Sequence, residues 1–269
     1  MASIARNIAE TLHSDFERIT SAFSDYDVIK WIIIESNSTD DSSSVLRQYS
    51  EKFSWVHCES IKSPEDTFPH RTQKLAQARN RYLEVFEDLH KKFKIDYLVV
   101  CDLNALNNKL SKQGITSCNN IPNWGALTAN QNGPYYDIWA LRHSDWNDMD
   151  CWKRYENIVK IYPNKYLALW ESVYSKMITI PKHKEPIIVR SAFGGLAIYK
   201  TKFLKDCKYK GEDKAGDPVC EHVSFNQKFI ENGGLIYINP ALINTDYTDH
   251  SKRRKYYKFY NLKYLLKNT

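Results

Sequence analysis

No window of this chain approaches the roughly 18 uninterrupted apolar residues that a membrane-spanning helix needs. None of the six cysteines (Cys58, Cys101, Cys118, Cys151, Cys207, Cys220) forms a CxxC pair, so neither a zinc ribbon nor a redox motif is suggested. Cys101 lies inside an apolar run and reads as a core residue. The opening MASIARNIAETLHSDF lacks the long apolar stretch of a signal peptide. Together these absences predict a reducing, cytoplasmic compartment. Repeats and low-complexity linkers are also missing, which favours one folded unit over residues 1–269.

With 42% hydrophobic and 26% charged residues, the composition suits a soluble α/β domain with a sizeable core. Aromatics reach 13%, carried by 18 Tyr and 7 Trp, which fits ring faces offered to sugars or bases, or simply a core filled with rings. The net charge of +6 is partly concentrated in SKRRKYYKFYNLKYLLKNT, residues 251–269, which holds no acid and interleaves Lys and Arg with Tyr, Phe and Leu. Such a tail suits an anionic membrane surface or a phosphate-bearing acceptor, which adds peripheral attachment on the inner face of the membrane to the expected location. Nucleic acid is the second option for this composition and is not carried into the functional reading. A terminal helix docked by its apolar face accounts for the tail equally well.

The hydrophobic pattern then orders the chain. Ile4, Ile8, Leu12, Phe16, Ile19 and Phe23 recur at helical spacing and predict a first helix over 4–22. Val28 to Ile34 reads as a strand buried on both faces, ending at the polar Glu35-Ser36-Asn37-Ser38-Thr39-Asp40-Asp41, after which Ser44 to Arg47 begins a helix. Open α/β sheets bind ligands at such carboxyl strand ends. A short strand is expected at Phe53–Cys58, a long helix over 71–93, and a buried strand at Tyr97–Cys101 running into Asp102-Leu103-Asn104. Further on, a helical stretch lies near 152–178, strands flank Gly194-Gly195 within 187–199, a helix spans 219–232, and a strand runs from Leu235 to Ile238. Alternating helix and strand argue for a parallel nucleotide-binding sheet.

Asp102 and Asn104 are two oxygen-bearing side chains, one spacer apart, at a strand end. A hard divalent cation such as Mg²⁺ or Mn²⁺ takes oxygens of this kind, although an Asp in that place often only caps a turn. Glu35 can accept hydrogen bonds from a ribose or base. Arg79, followed by Asn80 on the long helix, can reach a phosphate or form an ordinary surface ion pair. Gly194-Gly195 permits close backbone approach to a ligand or marks a bulge. Glu221 or His222 can serve as a base or bind a hydroxyl.

The order of these segments resembles the GT-A glycosyltransferases. IIIESNSTDDS is similar to their first nucleotide-binding loop, LAQARNRYLEVF to their Ala-Arg-Asn helix, YLVVCDLN to their Asp-x-Asp motif, and CEHVSFNQKFIENGGLIYINP to their Glu-Asp helix. PYYDIWALRH, FGGLAIYK and CEHVSFN further resemble the fungal capsule-associated α-mannosyltransferases and their bacterial relatives. The resemblance implies an α/β, Rossmann-like GT-A sheet flanked by helices, mixed in its C-terminal half. It implies a donor-binding half over about 1–110, an acceptor-binding half over about 111–250 and the basic tail beyond. It also implies nucleotide contacts at Glu35 and Asp40, phosphate or sugar contact from Arg79 and Asn80, and a Mn²⁺ or Mg²⁺ held by Asp102 and Asn104 with His250 as a late ligand. Glu221 or His222 would face the acceptor, with Tyr135, Tyr136, Asp137, Trp139, Gly194 and Gly195 around its pocket.

Two departures matter. The metal motif ends in Asn104 rather than Asp, and the Glu-Asp pair reads Glu221-His222, so a carboxylate is missing. The resulting expectation is hexosyl transfer from a nucleotide sugar to a glycan or lipid-linked acceptor in capsule or lipopolysaccharide synthesis, with the missing carboxylate leaning toward retention. Two rivals stand beside it. A non-catalytic carbohydrate-binding protein would explain Asn104 and His222, whereas a sugar nucleotidyltransferase would need a Gly-rich basic loop in place of the acidic ESNSTDDSS.

Overall fold

A computed structural model describes residues 1–27, 30–62 and 68–268 of the chain. Its centre is an eight-stranded sheet in the order β3-β2-β1-β4-β7-β5-β8-β6. The strands are β1 (Ala2–Ala5), β2 (Trp31–Ser36), β3 (Val56–Ile61), β4 (Tyr97–Cys101), β5 (Ala126–Gln131), β6 (Ile187–Val189), β7 (Leu196–Lys200) and β8 (Ile236–Thr245). The first four run parallel; β7 is antiparallel to β4 and β5, and β6 is antiparallel to β8. The expected α/β architecture with a mixed C-terminal half is what the sheet shows.

Period-two alternation explains why β2 and β4 are apolar throughout. Ile32, Ile34, Leu98 and Val100 enter one core with Tyr82 and Phe86 of α3 (Arg71–Phe93). Trp31, Ile33, Val99 and Cys101 enter the core on the opposite face with Leu12, Phe16 and Ile19 of α1 (Leu12–Ala22). Chain order reverses between β1 and β4, so the carboxyl ends of β1, β2 and β4 open a crevice at that switch point.

Several boundaries correct the sequence reading. Instead of a helix over 4–22, Ala2–Ala5 pairs with Ile32–Glu35 as β1, Asn7 turns the chain at φ 52°, and α1 starts only at Leu12. Ile4 keeps the helical spacing by coincidence, and inter-strand pairing overrides it. The strand carrying Glu35 is therefore the second in the sheet. Its described part begins at Trp31, and the expected start at Val28 lies outside the described residues. β3 starts at Val56 because Phe53 closes α2 (Ser42–Lys52). β5 shows no apolar run, since Thr128, Asn130 and Gln131 are buried in it.

The helical stretch near 152–178 divides into α5 (Cys151–Ile161), α6 (Lys165–Leu169) and a π turn at Trp170–Tyr174, interrupted at Pro163, which cannot donate to an α ladder. α7 covers Glu221–Glu231, and the expected strand from Leu235 continues to Thr245 through irregular pairing with β5. α4 (Lys112–Thr116) precedes β5, and α8 (Asp249–Lys252) and α9 (Arg254–Asn268) follow β8. The tail is thus largely helical, with Thr269 outside the described residues.

Candidate active site at the carboxyl edge of the sheet

α3 buries a stripe of Thr72, Ala76, Arg79, Leu83 and Phe86, at the i, i+4, i+7 spacing of one helix face. One member of that stripe is a guanidinium. Arg79 donates Nε–H to Glu221 Oε1 at 3.0 Å and Nη2–H to Asp102 Oδ1 at 3.1 Å, with only 4% of its side chain exposed. The rings of Phe193 and Tyr209 lie 5.2 Å and 5.7 Å from its central carbon. Burial alone would lower its pKa, but Tyr82, Asp102 and Glu221 hold the charge and lift the group well above its ordinary value. Nη1 is buried with no hydrogen-bond partner among the described residues. A buried charged donor without a protein partner is one that a ligand oxygen can take up.

Asp102 follows β4, and its N–H donates to Gly195 O at 2.9 Å. Burial raises its carboxyl above the usual range, and Arg79 pulls it back in part. Asn107 donates Nδ2–H to Asp102 O at 2.6 Å and accepts through Oδ1 from Asn244 Nδ2 at 3.0 Å, so the strand end is fixed by buried amides. Asn104 takes a left-handed backbone at φ 72°, and its N–H donates to Asp15 Oδ2 at 2.8 Å. Asp15, in the buried face of α1, is raised by burial and partly restored by the N–H groups of Ala105 and Asn104.

Gly194 and Gly195 stand opposite, at φ 67° and 88°. A Cβ on Gly194 would lie 2.8 Å from Ala129 O, and one on Gly195 would lie 3.0 Å from Tyr136 Oη, so this turn needs glycine for both conformation and space. Gly194 N–H donates to Asp137 Oδ2 at 2.9 Å. Burial, with Asp102 and Glu221 adding to it, pushes the Asp137 carboxyl up to about 6.

His222 is buried against Phe193, with ring centroids 3.8 Å apart and nearly parallel planes. Both of its nitrogens lack a hydrogen-bond partner among the described residues. Burial and the neighbouring Arg79 hold its pKa well below the ordinary imidazole value, so the ring is neutral. Two carboxylates (Asp102, Glu221) thus hold one guanidinium, Asp137 feels the charge of both, and the acidic excess suits a cation brought by a diphosphate.

Asp102 offers a hard oxygen, Asn104 lies two residues on, and His250 on α8 stacks on Tyr136 at 6.1 Å between ring centroids. Among the described residues no three His, Cys, Asp or Glu side chains converge. The set fits Mg²⁺ or Mn²⁺ held by one or two protein oxygens and completed by phosphate and water, rather than a closed protein cage.

The other expected residues are placed less centrally. Glu35 is buried; burial would raise its pKa, but hydrogen bonds from Ser38, Ser60 and Ser43 outweigh that and hold it below the usual range. Asp40 accepts from the N–H groups of Ala9 and Ser42, tying the turn after β1 to the loop after β2. Asn80 exchanges hydrogen bonds with the backbone of Tyr209, both at 2.9 Å, so it holds the segment that covers Arg79. Tyr135, expected as a pocket wall, is completely buried in the core, while Tyr136 and Asp137 remain half-buried at the turn. Trp139 donates Nε1–H to Asp150 Oδ2 at 2.8 Å, which also receives Arg142 Nη2–H at 3.0 Å.

Sequence reasoning missed Asp15, Asn107, Gln131, Asn244 and Tyr209. Asp15 carried a readable signal, a carboxylate in the apolar stripe between Leu12 and Ile19; the amides carried none. Two cavities, about 450 Å³ beside Phe23, Phe86 and Trp124 and about 1040 Å³ beside Asn80, Arg142 and Tyr209, contain none of Arg79, Asp102 or Glu221. The site is therefore assigned on its chemistry and not on cavity size.

A family profile described as cryptococcal mannosyltransferase 1 matches residues 25–225. No curated protein matches the chain. Among solved structures, a mannosyltransferase, PcManGT from Pyrobaculum calidifontis in complex with GDP-Man and Mn²⁺, is 15% identical over 91% of this chain and 55% of its own, at a TM-score of 0.46. S. aureus TarS with UDP-GlcNAc is 13% identical, covering 93% and 59%, at 0.45. Glucosyl-3-phosphoglycerate synthase from Mycobacterium tuberculosis with UDP is 12% identical, covering 91% and 68%, at 0.41. The chain spans little more than half the length of the first two.

Proposed function

The chain belongs to the cryptococcal mannosyltransferase 1 family, and on that premise we propose that it transfers a hexose from a nucleotide sugar to a glycan or lipid-linked acceptor, in cell-surface polysaccharide synthesis. The observation that carries this reading is Arg79, buried between Asp102 and Glu221 with Nη1 unpartnered at the carboxyl end of β4. The family's description names mannosyl transfer, so a mannosyl donor is the first to test.

In the proposed reaction the bond between the anomeric carbon and the diphosphate breaks, leaving positive charge on the sugar ring and negative charge on the phosphate oxygens. Arg79 Nη1 donates to that developing oxyanion, and Glu221 holds the guanidinium in place for it. Asp102, Asn104 and His250 are assigned to a Mn²⁺ or Mg²⁺, which when bound neutralises leaving-group charge. Glu35 and Asp40 fix the loops on the nucleotide side. Asp137, Tyr136, Trp139 and the Gly194-Gly195 turn border the acceptor side.

We favour retention, in which the departing phosphate oxygen takes the acceptor proton and no second carboxylate is required. Inversion is the second reading: neutral His222, with both nitrogens unpartnered, would take that proton. Calorimetry with nucleoside diphosphates and their sugars, with and without Mn²⁺, tests the assignment. Metal-dependent binding of one nucleotide, abolished by Asp102→Ala, is expected. A folded protein that binds no nucleotide under any metal condition overturns it. The anomeric configuration of the product decides between retention and inversion.

A further inference from the structure

α9 lies beyond residues 25–225, the part that carries the family match. One of its faces is docked. Tyr257 stacks on Tyr174 at 4.1 Å and Tyr260 on Tyr166 at 4.4 Å, while Arg254 donates Nε–H to Tyr174 O at 3.1 Å. At 3.6 residues per turn these contacts place Lys255, Lys258, Phe259, Leu262 and Lys263 away from the docked side, with Tyr256 at its edge against Tyr166. That outer face is alternately basic and apolar. Phe259 is 69% exposed, and Tyr256 and Leu262 are exposed as well.

A second apolar projection lies just before the helix on which α9 docks. Ile161 and Tyr162, where α5 ends, are 72% and 68% exposed, and they precede α6, whose Tyr166 receives Tyr256 and Tyr260. Lys160 and Lys165 flank them. From residue 250 onward the chain contains no acid. Large side chains left in water gain little from folding, and a cluster of them among lysines is complementary to a surface that is both apolar and anionic. No described helix is long and apolar enough to cross a membrane.

We propose that the outer face of α9, together with the Ile161–Tyr162 projection, forms an interfacial binding surface for anionic lipid bilayers. Lysines would draw it to the headgroups, and Phe259, Leu262, Ile161 and Tyr162 would enter the boundary between headgroup and acyl chain. α9 starts four residues after His250, which stacks on Tyr136, so the docked surface would set the acceptor side of the cleft near the lipid. The binding itself does not depend on the transferase reading. The choice of anionic lipid over nucleic acid rests on the exposed aliphatic residues Ile161 and Leu262, which have no stacking function.

Vesicle co-sedimentation of the full chain tests this without any activity assay. Vesicles of phosphatidylcholine with phosphatidylglycerol are compared with phosphatidylcholine alone. Binding to the anionic vesicles, weakening as salt rises, is expected. The combined Lys255→Glu, Lys258→Glu and Lys263→Glu variant should bind roughly 100-fold more weakly. Phe259→Ala with Ile161→Ser should weaken binding several-fold while leaving the melting temperature unchanged. Equal binding to both vesicles, no binding to either, or anionic binding untouched by the variants overturns the proposal. Tighter binding of single-stranded RNA than of anionic vesicles, through the same lysines, overturns it too.

Discussion

The carboxyl edge of β4 and the outer face of α9 break the same rule in opposite directions. At the first, the Arg79 guanidinium and the Glu221 carboxylate are drawn out of bulk water, with Asp102 and Asp137 partly so. At the second, Phe259, Tyr256 and Leu262 are left in it. Neither arrangement is what folding stability alone would select, because buried ion pairs rarely repay their desolvation and exposed rings contribute nothing to the core. The difference lies in how tightly each is held. The buried cluster is locked by Glu221, Phe193, Tyr209, the Asn107–Asn244 amide pair and two glycines in left-handed conformations. The outer face of α9 is held only by what packs behind it. Substitutions should therefore act on fold and function together at the first region, and on stability hardly at all at the second.

The largest effect is expected at Arg79. Arg79→Met removes the only described cation between Asp102 and Glu221 and should cost about 3–5 kcal/mol, with hexosyl transfer reduced by roughly 1000-fold. Thermal denaturation and a product assay read the two losses. Adding Glu221→Met should restore part of the stability, because one uncompensated charge is gone, and none of the activity. Recovery of activity in the double variant would make the pair purely structural.

Gly194→Ala comes next. Its Cβ would meet Ala129 O at 2.8 Å on a backbone held at φ 67°, and a main-chain oxygen within a strand cannot step aside. A loss of about 3 kcal/mol is expected from denaturant titration. An unchanged midpoint would mean that the turn relaxes freely and does not fix Asp137.

These two residues also show what the sequence could and could not disclose. β2, β4 and α3 were legible because each buries a continuous face, so their apolar residues recur at the period of the element. Asp102 followed as the polar residue at a buried strand's end. β1 and β5 were not legible: Ala-Ser-Ile-Ala is too short for a period, and Thr128, Asn130 and Gln131 are buried by side-chain hydrogen bonds rather than by hydrophobicity. The partnership of Arg79 with Glu221 joins residues 142 apart in sequence, and no local pattern encodes it. Tyr135 is a related case: its motif sits at the site, and its ring is buried in the core with the hydroxyl beside the Gly194 turn.

A smaller effect concerns pH. Asp137 titrates near 6 in the folded protein against 3.8 for an ordinary Asp. Its raised pKa favours the folded state below about pH 4, and that contribution is lost as pH rises through 6. Asp137→Asn cannot ionise, so relative to wild type it should gain about 2 kcal/mol between pH 4 and pH 7. Comparing the two proteins also removes the opposing contribution of neutral His222, which is lost as pH falls. Parallel stability curves would show that Asp137 is solvated in the folded state.

The smallest effect tests the other side of the comparison. Phe259→Ala should change stability by less than about 0.5 kcal/mol, since a side chain 69% exposed gives up little contact when truncated. Tyr257→Ala, two residues away, should cost about 1–2 kcal/mol, because its ring stacks on Tyr174 at 4.1 Å against the core. The contrast between two neighbouring aromatic residues on one helix is the measurement, read as the difference in melting temperature. Equal losses would mean that α9 buries both faces, and its lysines would then be no more than a solvated edge. A clear split would leave the Phe259 side with no structural task, which is the condition for it to have another.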